Sequence, residues 1–168
     1  MIKIVGLLCV LASSVFATQT SATESLSGDS SSFYYQLIVP SAPVYTGPRV
    51  VVTLDTGGDL FDYIKKYNDF REGNTYIRIA DLCLSACTVI TGVVSDDHVC
   101  VSPSALFGFH SATEGLTFSK EGTDLMWNIL PKRVQDLVRA AGWDGHTEHQ
   151  DLVYVKGLDL YQRCPGGN

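Results

Sequence analysis

Two stretches of this chain repeat one pattern, and that repetition limits the fold more than any other feature. A β-branched run, Val51-Val52-Thr53-Leu54, closes on Asp55-Thr56-Gly57-Gly58 and is followed by Leu60, Phe61, Ile64 and Tyr67 on one helical face. After the Gly73-Asn74 turn a second run, Thr75 to Leu82, continues through Cys83-Leu84 to the small residues Ser85 and Ala86, and an apolar segment from Val89 to Val94 reads as the next helix. A continuous β-branched run such as Arg49 to Leu54 suits a strand buried on both faces of a parallel sheet. Two successive strand-turn-helix units with parallel strands require crossover connections, which are right-handed in nearly all folds. The expectation is a single α/β domain with a mostly parallel sheet.

The rest of the chain extends this pattern. Phe33 to Val39 is a strand by composition, and Pro40, Pro43, Gly47 and Pro48 then punctuate a loop. Ala105-Leu106-Phe107-Gly108-Phe109 reads as a strand ending on His110. From Thr123 to Ala141, Leu125, Met126, Ile129, Val134, Leu137 and Val138 recur at helical spacing; Pro131 divides the segment and Gly142 ends it. Leu152-Val153-Tyr154-Val155 is a last short strand, and Trp127 and Trp143 read as core or interface aromatics.

The N-terminus reads as an export signal. Lys3 precedes an apolar run from Ile4 to Val10, and Val15-Phe16-Ala17 is a small-residue exit, so residues 1–17 form a signal peptide cut after Ala17. The apolar run is short for a bilayer span and is interrupted by Ser13 and Ser14, so stable membrane insertion is not expected after cleavage. Residues 18–32, rich in Ser and Thr, have little to bury and form a leader; residues 33–168 form the domain. The formal charge of the chain is −6 and no basic patch stands out, which argues against nucleic acid or an anionic membrane surface as a partner. The expected location is the periplasm or the exterior.

Ser85 sits where a strand turns into a helix. At such a turn a hydroxyl can be exposed, and the free N–H groups of the first helical turn can serve an oxyanion. His110 supplies the residue type that takes a proton from a serine.

Three ordered blocks make this pattern resemble the ClpP-type serine peptidases of the ClpP/crotonase superfamily, and closer still the small exported bacterial proteins related to them. Val51-Val52-Thr53-Leu54-Asp55-Thr56-Gly57-Gly58 is similar to the family's strand and Gly-Gly turn. Cys83-Leu84-Ser85-Ala86-Cys87-Thr88 is similar to the block of the nucleophilic serine, and Phe107-Gly108-Phe109-His110 to the strand that delivers the catalytic histidine. The likeness covers Val50 to Ser111 well and the remainder weakly; the helix that ClpP has between its early strands has no counterpart here. The resemblance implies a reduced ClpP/crotonase-like spiral of β-β-α units. It implies Ser85 as nucleophile, His110 as base, and Asp151, immediately before a short strand, as the acid, with Asp159 the rival by spacing and Glu148 a third choice. It implies an oxyanion hole at the Gly57-Gly58 turn, with the Gly58 N–H favoured beside that of Ala86. The implied activity is hydrolysis of peptides or unfolded segments without a cofactor, with no ATP-driven unfoldase outside the cytoplasm and with a homo-oligomer in keeping with the family. A catalytically inactive exported module on the same scaffold is the alternative. A crotonase-type acyl-CoA enzyme is a third reading, disfavoured by export.

Cys83, Cys87, Cys100 and Cys164 remain after signal removal. An even number in an exported chain points to disulfides, with three pairings open. The favoured pairing is Cys87–Cys100, tying the helix to the following strand, which leaves Cys83–Cys164 to anchor the C-terminus. Either bond at the Ser85 turn would hold it rigid. No metal site is expected: Cys83, Cys87 and His98 make a weak zinc pattern, and His146 and His149 read as exposed polar residues.

Overall fold

The computed structural model describes residues 45–166. The expected signal peptide (1–17), leader (18–32) and first strand (Phe33–Val39) lie outside the described residues.

Strand β1 (Arg49–Asp55) runs parallel to β2 (Tyr76–Leu84), and α1 (Leu60–Glu72) connects them. The helix starts because Asp59 caps it: the carboxylate accepts hydrogen bonds from the N–H groups of Phe61 (2.9 Å) and Asp62 (3.1 Å). It ends at Gly73, and Asn74, at φ 52°, turns the chain into β2. Tyr67 of α1 is fully buried against the sheet, with Leu60, Tyr63, Ile64 and Phe70 packed around the core. Phe61, expected on that face, is instead 70 % exposed.

The long strand β2 is the centre of the sheet. Its first half pairs in parallel with β3 (Val99–Val101), and its second half with β4 (Leu106–Phe109), also in parallel. Between β2 and β3 lie a 3₁₀ turn (Ser85–Val89), the short helix α2 (Ile90–Val93) and a second 3₁₀ turn (Asp96–His98). After β4 come a small hairpin, β5 (Thr113–Glu114) with β6 (Thr117–Phe118), and the helices α3 (Lys120–Ile129) and α4 (Lys132–Ala140). Leu130, before Pro131, is extended at ψ 132°, so the proline divides the two helices as its ring requires. Strand β7 (Val153–Lys156) returns antiparallel to β4, and α5 (Gly157–Leu160) follows. The fold is α/β with a mixed, mostly parallel sheet.

One face of this sheet builds the core. Ile77, Ile79 and Cys83 of β2, Val99 and Val101 of β3, Phe107 and Phe109 of β4, and Val153 and Val155 of β7 are buried there. Trp127 of α3, Val134 and Val138 of α4, and Trp143 close over them, with Trp127 and Trp143 edge to face at 5.6 Å. Burying each such large side chain stabilises by roughly 1.5–3 kcal/mol.

The other face corrects the expectation for β1. Among the described residues β1 pairs only with β2, and Val51 and Leu54 are 59 % and 63 % exposed. A run of β-branched residues is compatible with two-sided burial, but here only Val50 and Val52 of the valines are partly buried, Val52 against the core. No described element covers the face that carries Val51 and Leu54.

The cysteine pairing also differs from expectation. The bonds are Cys83–Cys87 and Cys100–Cys164. The reason is the pleat. Cys83 registers with Phe107 on the core face, whereas Cys100 lies between Val99 and Val101 and so points to the opposite face. Cys87 follows the turn at the end of β2, with its Cα 5.3 Å from that of Cys83. A Cys87–Cys100 bond would have to pass through the sheet. Cys164 reaches Cys100 because its N–H bonds to the Val101 carbonyl at 3.0 Å. Closing a loop of sequence separation 64 stabilises by about 4 kcal/mol on the chain-entropy account, against about 2 kcal/mol for the separation of 4. The longer bond therefore secures the domain, while the effect of the shorter one is local to the serine turn. Two disulfides fit an oxidising compartment. Among the described residues no helix is long and apolar enough to cross a membrane.

Cleavage before aspartates under non-reducing conditions separates Cys83 and Cys87 from the other two cysteines. Mass analysis should find the 81–95 peptide closed on itself and the Cys100 peptide joined to the Cys164 peptide. A link from 81–95 to either of the others would contradict the pleat argument.

Candidate active site

Ser85, Ala86, Gly58 and His110 line one cleft of ≈ 460 Å³. The parallel pairing of β1 and β2 creates this proximity, because Asp55 registers with Cys83 and the turns leaving the two strands lie side by side. The contact is backbone to backbone. A Cβ placed on Gly57 would lie 2.6 Å from the Ser85 Cβ, 2.8 Å from the Leu84 oxygen and 2.9 Å from the Ala86 nitrogen. Gly57 also sits at φ +83°, a conformation that side-chain-bearing residues rarely adopt.

Ser85 itself has φ 55°. A non-glycine residue at positive φ is uncommon and stores backbone strain. The strain is held by the surroundings. The Cys83–Cys87 bond brackets the residue, and the Thr88 hydroxyl donates to the Ser85 carbonyl at 2.7 Å. Ser85 is half-buried, and Ala86 and Cys87 behind it are buried. The Ala86 N–H lies in the first turn of the 3₁₀ segment, where no intrahelical acceptor exists.

The Gly-Gly turn is held by a network that sequence reading missed. The Asp55 carboxylate accepts from the Gly57 N–H at 3.0 Å and from the Tyr63 hydroxyl, and Lys66 Nζ stands 3.3 Å from its other oxygen. Lys66 also lies 3.8 Å from the Tyr63 ring centroid. Burial works against ionisation of Asp55, yet the bonds from Tyr63 and Gly57 and the Lys66 charge hold its carboxyl below the ordinary value. Burial and the Asp55 carboxylate push the Tyr63 hydroxyl well up. The Gly57 N–H is thus committed to Asp55, while the Gly58 N–H has no hydrogen-bond partner among the described residues. The signal in the sequence was the Asp-Thr-Gly-Gly string itself, an aspartate that can bond the backbone two residues on.

His110 follows β4 directly and is half-buried. Among the described residues its buried Nδ1 has no side-chain hydrogen-bond partner, and no hydrogen bond joins the ring to Ser85. Burial lowers its pKa from the ordinary 6.5, with the Ser111 backbone opposing and His149 adding to the shift. The chain beyond His110 is fixed by a clamp. The Ser111 N–H and hydroxyl both donate to the His149 carbonyl (2.9 and 3.0 Å), and the His149 N–H donates back to the hydroxyl at 3.0 Å. The His149 ring stacks on Trp143.

Among the described residues none of the expected acids is hydrogen-bonded to the His110 ring. Asp151 is exposed just before β7 and is not bonded to the ring. Asp159 lines a separate surface groove with Arg133, whose guanidinium bonds the Leu160 carbonyl at 2.6 Å. Glu148 is exposed and accepts from Gln150 at 3.1 Å. His98, weighed with the cysteines as a zinc pattern, instead bonds Asn74 at 2.7 Å, and the cysteines are committed to disulfides. His146 is exposed and faces Asp124 at 3.4 Å.

Comparison with known proteins yields no family model and no curated protein that matches this chain.

The packing at Gly57 makes a sharp contrast with its neighbour. Gly57→Ala should lower unfolding stability in urea by more than about 1 kcal/mol, from positive φ plus overlap with Ser85. Gly58→Ala, whose Cβ would meet only a Tyr63 ring carbon at 3.4 Å, should cost far less. Equal costs would remove the close approach from the account. For His110, NMR titration should give a midpoint below 6.5. Because folding lowers its proton affinity, its contribution to stability is present above the unfolded value and is lost as pH falls through the folded one.

Proposed function

We propose that this protein is an exported serine hydrolase of the ClpP-like kind, acting on peptides or unfolded segments. The single observation that carries the reading is the strained Ser85 at the strand-to-helix turn, which lines one cleft together with His110, Gly58 and Ala86. In the proposed step Ser85 Oγ forms a bond to the substrate carbonyl carbon and its proton passes to the His110 ring. The carbonyl electron pair moves onto oxygen, where the Gly58 and Ala86 N–H groups receive it. Collapse expels the amine, which takes the proton from His110, and water then releases the acid and restores Ser85. Asp55 and the Cys83–Cys87 bond act as positioning elements, the first for the Gly-Gly turn and the second for Ser85. The lowered pKa of His110 favours the neutral ring that a base requires.

A second reading, a binding module on the same scaffold, is favoured by one observation: among the described residues no carboxylate is hydrogen-bonded to His110 Nδ1. The two readings separate on fluorophosphonate labelling of the disulfide-intact protein. The hydrolase reading expects labelling at Ser85, none in Ser85→Ala, and a labelling rate that rises with pH around a midpoint below 6.5 as His110 loses its proton. His110→Ala should slow labelling by about 100-fold or more. Folded protein that stays unlabelled across oligomeric states leaves the binding module as the reading.

A further inference from the structure

The walls of the Ser85 cleft are unlike its floor. Leu60, Phe61, Leu125 and Met126 supply apolar surface, and Phe61 stands 70 % exposed at the mouth. Among the described residues the acidic side chains that line the cleft are Asp59, Glu114 and Glu121, and neither Lys nor Arg lines it. These three come from separate elements: the cap of α1, the β5–β6 hairpin and the first turn of α3. None of the three makes an ion pair with a described residue. Of the cations of α1 and α3, Lys65 pairs with Asp69, Lys66 with Asp55 and Lys120 with Asp124, and Arg71 stands in the last turn of α1, away from the Asp59 cap. A cavity of this size takes a few residues of an extended chain. Asp59, Glu114 and Glu121 are exposed, so each attracts a cation modestly and in a salt-sensitive way, and the chain's charge of −6 adds a long-range field of the same sign.

We propose that the cleft selects cationic, apolar ligands: an extended peptide segment that sets a Lys or Arg side chain among Asp59, Glu114 and Glu121 and an apolar side chain against Phe61 and Leu125. An anionic segment is repelled at the same place. The inference names the substrate class of the proposed hydrolase and rests on that reading only for the chemistry after binding.

The test separates the two. Ser85→Ala protein, unable to turn substrate over, is titrated by fluorescence anisotropy with two labelled peptides, Ala-Leu-Lys-Leu-Ala and Ala-Leu-Glu-Leu-Ala. The lysine peptide should bind about tenfold more tightly at low salt, from a few exposed charge contacts, and the advantage should shrink as salt rises. Charge reversal by Glu114→Lys with Glu121→Lys should invert the preference; Asp59 is left in place because it caps α1. Equal binding of the two peptides, tighter binding of the glutamate peptide, or a preference that charge reversal leaves unchanged overturns the proposal. The salt dependence of the parent protein keeps the question decidable even if the double variant fails to fold. Fluorophosphonate labelling without a peptide preference removes the selectivity for cationic ligands and leaves the hydrolase. A preference without labelling does the reverse.

Discussion

The site depends on one register. Because Asp55 stands opposite Cys83, β1 and β2 end together, and the turns that leave them meet at van der Waals contact through Gly57 and Ser85. Any side chain at Gly57 would force the turns apart. The same approach brings Gly58 and Ala86 into the lining of one cleft, and it requires two unusual backbone conformations, Gly57 at φ +83° and Ser85 at φ 55°. Glycine meets the first at little steric cost. The second must be imposed from outside the residue, and the short Cys83–Cys87 loop and the Thr88 bond to the Ser85 carbonyl do so.

The division of labour between the disulfides comes from their spans. The Cys100–Cys164 bond restrains a long stretch of the unfolded chain and ties the C-terminal segment to β3 on the face away from the main core, where Tyr76 packs with it. The Cys83–Cys87 bond closes too short a loop to contribute comparably to global stability. It lies wholly inside the core, with both cysteines unexposed and the Tyr67 hydroxyl 3.3 Å from Cys87 Sγ. Its consequence is geometric: it limits how far the turn can relax from the strained state.

The features legible in the sequence were local and periodic. The strand-turn-helix order at Val51 to Tyr67 and again at Tyr76 to Val93, the strand before His110, the helix divided at Pro131 and the return strand at Val153 were readable, because side-chain period and turn chemistry are properties of neighbouring residues. The features that escaped it were relational. The cysteine pairing turned on which sheet face Cys100 takes, and that depends on its register with β2. The burial of β1 turned on its position at the edge of the described sheet, which no run of valines reveals. Asp55 looked like a turn residue, and only the approach of Tyr63 and Lys66 from α1 makes it a hub. Asp151 fitted a motif in one dimension, and in the fold it makes no hydrogen bond to the His110 ring.

The missing acid bears on the electrostatics of the proposed chemistry. A carboxylate on Nδ1 would both fix the histidine tautomer and stabilise the imidazolium formed during attack. Here burial does the opposite for the cation: it favours the neutral ring, which suits a resting base on the hydrolase reading, and among the described residues no carboxylate is bonded to Nδ1. Orientation must then come from packing, and the Ser111–His149 clamp and the stacking of His149 on Trp143 hold the chain just beyond His110. On the hydrolase reading the larger share of transition-state stabilisation falls on the preorganised N–H pair, whose geometry Asp55, Gly57 and the Cys83–Cys87 loop hold in place. The arrangement concentrates its backbone strain and its covalent restraint at Ser85 and the Gly57-Gly58 turn, which on the hydrolase reading are the nucleophile and the oxyanion side. It leaves the proton-accepting side held only by packing.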